Sequence, residues 1–211
     1  MKERPRKLSL VASGLTDGKP DDPQGGGRKR LVEFIKENTE QIVDEWETFA
    51  RTLTPAAIDM TSLALRDHIH PILQFVVSDI DSPQSGTEQI EKSQGKKTKS
   101  VTQSAAETHA GLRLSGGFDI DQMVSEYRSL RASVIKLWSV ENTEMHEEDI
   151  IDLTRFNEAI DQALAESVRH YTQEVNRARN LFLGILGHDL RTPLNVISMS
   201  TDLMTGVGNI E

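Results

Sequence analysis

Residues 147–193, EEDIIDLTRFNEAIDQALAESVRHYTQEVNRARNLFLGILGHDLRTP, run 46 positions without a proline before Pro193 closes the stretch. Gly184 and Gly187 are the only weak points for a helix in it. Phe156, Ile160, Ala163, Ser167, Tyr171, Ala178, Phe182 and Ile185 fall close to a heptad seam, with Glu174 as its flaw. A long uninterrupted period of this kind predicts one very long helix, and a narrow seam on it predicts a parallel coiled-coil homodimer.

Working back from this helix, every other patterned stretch is also helical. FDIDQMVSEYRSLRASVIKLW, residues 118–138, carries Ile120, Met123, Val124, Tyr127, Leu130, Val134, Leu137 and Trp138 on one broad stripe. A helix over about 100–114 precedes it, stopped by Ser115-Gly116-Gly117, and Asn142 to His146 reads as a turn. Leu31, Phe34, Ile35, Ile42, Trp46 and Phe49 repeat at helical steps from Arg28 onward. Thr54-Pro55 reads as an N-cap followed by proline at the first helical position. Residues 61–80 form an apolar helix that Pro71 should kink or divide, and 81–100 form a long polar loop with one helical turn in it. No stretch reads as a strand. The expected fold is all-α: a helical bundle leading into a long dimerisation helix.

Composition narrows the function classes. With no cysteine in 211 residues, disulfides, zinc–thiolate centres and thiol nucleophiles are excluded. The net charge is −9, and residues 1–30 hold eight Lys/Arg against four Asp/Glu, so the acidic excess lies beyond them. That balance argues against nucleic acid as a partner. No run approaches the roughly 18–20 apolar residues of a membrane span, which points to a cytoplasmic protein. Residues 1–27, rich in glycine and proline, read as a flexible basic tail.

The chemistry is concentrated at Phe182–Ile197, FLGILGHDLRTPLNVI. At 100° per residue, with Phe182 at zero, Leu186, Leu190, Pro193 and Ile197 fall between about 20° and 80°. His188 falls near 240°, essentially opposite, with Gly184 one turn above it at about 200°. The histidine should therefore face solvent while its neighbours hold a helix–helix core. A neutral imidazole is a nucleophile at physiological pH. Asp189 can orient the ring and share its proton. Thr192, at i+4, can bond the histidine or a water, and Arg191 can steady an incoming phosphate. Pro193 deprives the Asp189 carbonyl of its helical partner and should bend the helix just beyond the ring.

HDLRTPL preceded by FLGILG resembles the H-box of HisKA-type sensor histidine kinases. The resemblance implies that His188 accepts the γ-phosphoryl of ATP and passes it to an aspartate of a response regulator. It makes Asp189 the acidic partner, and Asp189-x-x-Thr192 the pattern used to dephosphorylate the regulator. A second, weaker resemblance runs through HAGLRLSGGFDIDQMVSEYRSLRASVIKLW and DLTRFNEAIDQALAESVRHYT. These look like the globin-like, haem-free N-terminal domains of stressosome sensors and related soluble kinases. After the basic tail at 1–27, they imply a sensory domain at 28–145. A signalling helix at 146–180 completes the sensor and forms the dimer seam, and the phosphoacceptor helix begins in 181–211. The implied partners are a second copy, the ATP-binding domain of the parent kinase and a response regulator. No cofactor belongs to this chain itself; Mg-ATP belongs to the parent. The family's second hairpin helix and ATP-binding motifs do not follow the H-box, so the chain alone is expected to be inactive.

Other candidates have simpler readings. His68 and His70, two apart, face different sides of a helix and cannot readily share a metal, and a haem bound to one of them or to His109 is the less favoured reading. His146 and His170 read as surface or seam positions. Trp46 and Trp138 read as core anchors. The acids in ENTEMHEED (141–149) suit a solvated helix start, and GKK at 95–97 lacks the spaced glycine and preceding strand of a P-loop. The rival to a kinase component is a non-enzymatic dimeric sensory or scaffold module.

Overall fold

The computed structural model describes residues 29–93 and 104–207, apart from Asp67 and Thr143. The basic tail at 1–27 and the lysine run at 95–97 lie outside the described residues. The described chain is all-α, in the order α1 (Leu31–Glu37), α2 (Thr39–Ala50), α3 (Ser62–Arg66), α4 (Ile69–Asp81), α5 (Gly86–Ser93), α6 (Ala105–Ser115), α7 (Ile120–Glu141) and α8 (Glu147–Val207). Among the described residues there is no strand.

Local chemistry sets the boundaries. At the start of α6, Ser104 Oγ accepts from Glu107 N at 3.2 Å and Glu107 Oε2 accepts from Ser104 N at 3.2 Å, a reciprocal capping box. Asp119 and Gln122 repeat the device at the start of α7, at 2.7 and 3.0 Å. Between them, α6 ends in a Schellman turn. Phe118 N donates to Arg113 O and Gly117 N to Leu114 O, with Gly117 at φ 79°, a conformation that favours glycine. This turn drops Phe118 into the core. α8 opens with Glu147, Glu148 and Asp149 in its first turn, where acids complement the helix dipole, and Asp149 Oδ2 accepts from His146 N at 2.8 Å.

Two proline expectations need correcting. Thr54-Pro55 starts no helix; the bond is cis and residues 55–59 form turns. The 61–80 helix is divided, but upstream of Pro71, between Arg66 and Ile69. Pro71 occupies the third position of α4, where a missing N–H breaks no intrahelical bond. Where a loop with one helical turn is expected, α5 (Gly86–Ser93) spans eight residues, about two turns.

A single core forms from α1, α2, α3, α4, α6, α7 and the first half of α8. Trp46, Phe34, Phe118 and Phe156 are its largest fully enclosed apolar members, each worth about 1.5–3 kcal/mol on removal from water. Trp46 and Trp138 are both buried, with their indole N–H groups donating to Glu126 O and Lys29 O. The first half of α8 packs on α6, α4 and α7. Phe156, Ile160, Ala163 and Ser167, expected on a dimer seam, are instead buried inside their own chain. Their heptad-like spacing meets α4, α6 and α7 rather than a second copy of α8.

Candidate functional site

Beyond Tyr171, α8 leaves the bundle and continues without a break to Val207, passing through Pro193. Its side chains from 181 to 204 are exposed, among them Phe182, Leu186, Leu190, Leu194 and Ile197. Phe182, Leu186, Leu190 and Ile197 form the predicted apolar stripe, and nothing among the described residues covers it.

His188 stands on the other side of the helix with 80% of its side chain exposed. Its Nδ1 lies 3.2 Å from Asp189 Oδ1. A carboxylate can only accept, so the bond requires Nδ1 to carry the hydrogen. The Nε2 lone pair then points to solvent, free to attack. Arg191 and Thr192 are exposed on the same helix, three and four residues on, but neither hydrogen-bonds His188. The structure thus brings together His188 and Asp189 and leaves Arg191 and Thr192 as nearby unengaged groups. A Cβ added to Gly184 or Gly187 would meet nothing within 4 Å, so neither glycine is required by packing inside the chain.

The other histidines are accounted for differently. His70 Nε2 lies 2.9 Å from Glu40 Oε1 and its Nδ1 3.3 Å from Arg66 O. It borders a groove of about 230 Å³ between α1 and α4, floored by Ile35, Leu73 and Val77. Fully buried His109 lies edge-on to Tyr127 and 6.4 Å, ring to ring, from His68. His170 lies beside Gly111, and His146 is exposed. Among the described residues no group of three or more His, Asp or Glu side chains is arranged to hold a metal.

Sequence reading missed a buried polar network. Arg113 Nε donates to both oxygens of Glu126 at 2.9 Å, and Arg113 Nη2 donates to Leu65 O at 3.1 Å. The guanidinium also lies 4.8 Å from the Phe118 ring centre. His109 Nε2 lies 3.2 Å from Glu126 Oε2. Burial works against the Glu126 charge, but the His109 contact and the Arg113 cation outweigh it and hold the carboxyl below its ordinary value. Beside this cluster, Tyr127 Oη lies 2.8 Å from Ser167 Oγ, which donates to Ala106 O at 2.7 Å. Burial raises the Tyr127 hydroxyl and keeps it protonated. One signal was available: Glu126 falls on the apolar stripe of α7 between Met123 and Leu130, where a charge requires a buried partner.

No family model, curated protein or solved structure matches the chain.

Proposed function

We propose that this chain is the sensory and phosphoacceptor part of a two-component histidine kinase, with His188 as the residue that carries phosphate. The supporting observation is His188 itself. It is an exposed imidazole bonded through Nδ1 to Asp189, opposite an apolar stripe that no described residue covers, on a helix continuous with the buried bundle. Asp189 holds the hydrogen on Nδ1 and stabilises positive charge on the ring as Nε2 attacks the γ-phosphorus of ATP. The N–P bond forms as the bond to the β–γ bridging oxygen breaks and ADP departs. A response-regulator aspartate then takes the phosphoryl group, giving an acyl phosphate and free His188. Mg-ATP comes with the ATP-binding domain of the parent kinase, where Mg²⁺ offsets phosphate charge. Arg191 is placed to meet charge on the transferred group, and Thr192 to position the water that hydrolyses the regulator's phosphate.

In this reading the bundle over residues 28–145 is a globin-like sensor without haem. The stripe through Phe182, Leu186, Leu190 and Ile197 pairs with a second copy in a parallel homodimer. The kinase acts in the cytoplasm; no helix among the described residues is long and apolar enough to cross a membrane.

Phosphorylation in trans tests the proposal. The chain is mixed with Mg-ATP, a histidine-kinase ATP-binding domain and a separately supplied second hairpin helix, with His188→Gln as control. Acid-labile, base-stable phosphate on the wild type alone is expected. A folded dimer that takes no phosphate under these conditions would leave a sensory or scaffold module in place of a kinase component.

A further inference from the structure

Ser167 is the last fully buried residue of α8; four residues on, Tyr171 is only partly buried, and from 175 the helix is exposed. At this exit point α8 is tied to two other helices by hydroxyl groups. Ser167 has one hydrogen and gives it to Ala106 O on α6, so the Tyr127 hydroxyl on α7 must donate to Ser167 Oγ. The Tyr127 ring packs edge-on against His109, 5.6 Å between centres, and Tyr127 follows Glu126 in the chain. The hydroxyls therefore continue a buried ionic cluster whose His109 Nδ1 meets no partner among the described residues.

The two halves of the network differ in strength. Removing one partner of the Arg113–Glu126 pair strands a buried charge, which favours keeping that pair closed by orders of magnitude. A neutral hydroxyl bond biases an equilibrium by roughly tenfold, and by about a hundredfold where a buried hydroxyl is left unpaired. The hydroxyl chain is thus the weak joint between a stiff core and the helix that bears His188. His188 is 21 residues further along, about 30 Å at 1.5 Å per residue.

We propose that the Tyr127–Ser167–Ala106 hydrogen-bond chain is a releasable latch: closed, it fixes the angular setting of α8 as it leaves the core; open, it lets α8 turn and changes access to His188. The inference rests on the phosphoacceptor reading for its output, but not for the latch itself. A change in the sensory core that shifts α6 or α7 would open it through Ala106 or Tyr127, leaving the ionic cluster intact.

The absence of native cysteine permits clean spin labelling at Ala132→Cys on α7 and Arg179→Cys on exposed α8, with labelled chain diluted into unlabelled chain. Tyr127→Phe keeps the ring and removes one hydroxyl, and Ser167→Ala provides a second variant. Each is expected to add a second 132–179 distance population and to change the rate of phosphate incorporation at His188 about five-fold. A second population with no phosphate on His188 even in the wild type would uphold the latch and sink the phosphoacceptor reading. An unchanged distance in folded variants would overturn the latch, as would a shifted distance with an unchanged phosphorylation rate where the wild type does carry phosphate on His188. Loss of the fold in both variants would overturn it too, by making the pair a fixed part of the core.

Discussion

Phe156 and Phe182 lie on the same helix and fall on the same heptad seam, yet the first has no exposed surface and the second exposes 63%. The buried half of α8 closes the bundle, while the outer half presents leucine, isoleucine, phenylalanine and methionine to solvent. Apolar period reports that a helix face needs a partner; it does not report whether the partner lies in the same chain. The first half finds α4, α6 and α7. The second half has none among the described residues and is the surface on which the proposed homodimer depends.

Substitution at the two ends should separate these cases. Phe156→Ala leaves a cavity in a closed core and should cost about 3–5 kcal/mol in urea unfolding, independent of protein concentration. A loss under about 1 kcal/mol would mean that the inner half is not a core element. Arg113→Met should come next, at about 3 kcal/mol, because it leaves Glu126 buried without its cation. Acid titration sharpens the same point. The Glu126 value is depressed in the folded state, so its stabilisation is present above the unfolded value near 4.5 and is lost as pH falls through the folded value. Glu126→Gln should lower stability at neutral pH and flatten the loss of stability below pH 4.5; an unchanged acid limb would remove Glu126 from that role.

Effects on the outer half should be smaller and different in kind. Gly184→Ala and Gly187→Ala, with open space around each Cβ, should each raise local helix stability by about 1 kcal/mol, read by amide exchange around His188. If those sites are soft points for signalling, the same variants should also reduce switching. Phe182→Ala should change the stability of the isolated chain by less than about 0.5 kcal/mol while weakening self-association in sedimentation. A large loss of stability at high dilution would show that Phe182 has a partner inside the chain.

What could be read from the sequence divides along similar lines. The His188 geometry was legible because it depends on spacing within one helix: 100° per residue sets the histidine opposite Phe182, Leu186 and Leu190 without knowledge of the rest of the fold. The stop at Ser115-Gly116-Gly117 was legible for the same reason, being settled within a few residues. Pro71 was half legible: it marked the divided helix but not the side on which the division falls, because a proline in a first turn disrupts nothing. The network through His109, Arg113, Glu126, Tyr127 and Ser167 draws on three helices and up to 61 residues of separation, so no local pattern announces it. Only the charge of Glu126 on an apolar stripe pointed that way.

The continuity of α8 also matters for how its outer half comes to be helical. In helix–coil terms, starting a helix is the improbable step, suppressed by a factor of about a thousand, whereas each added residue is nearly neutral or mildly favourable. The bundle supplies that start for the segment bearing His188, because tertiary packing fixes the turns at Phe156, Ile160 and Ala163. Growth then need only propagate outward. The core is therefore a template for the helical state of its own output segment, and loosening it would shorten the helix from the point of exit even if no side chain near His188 were touched.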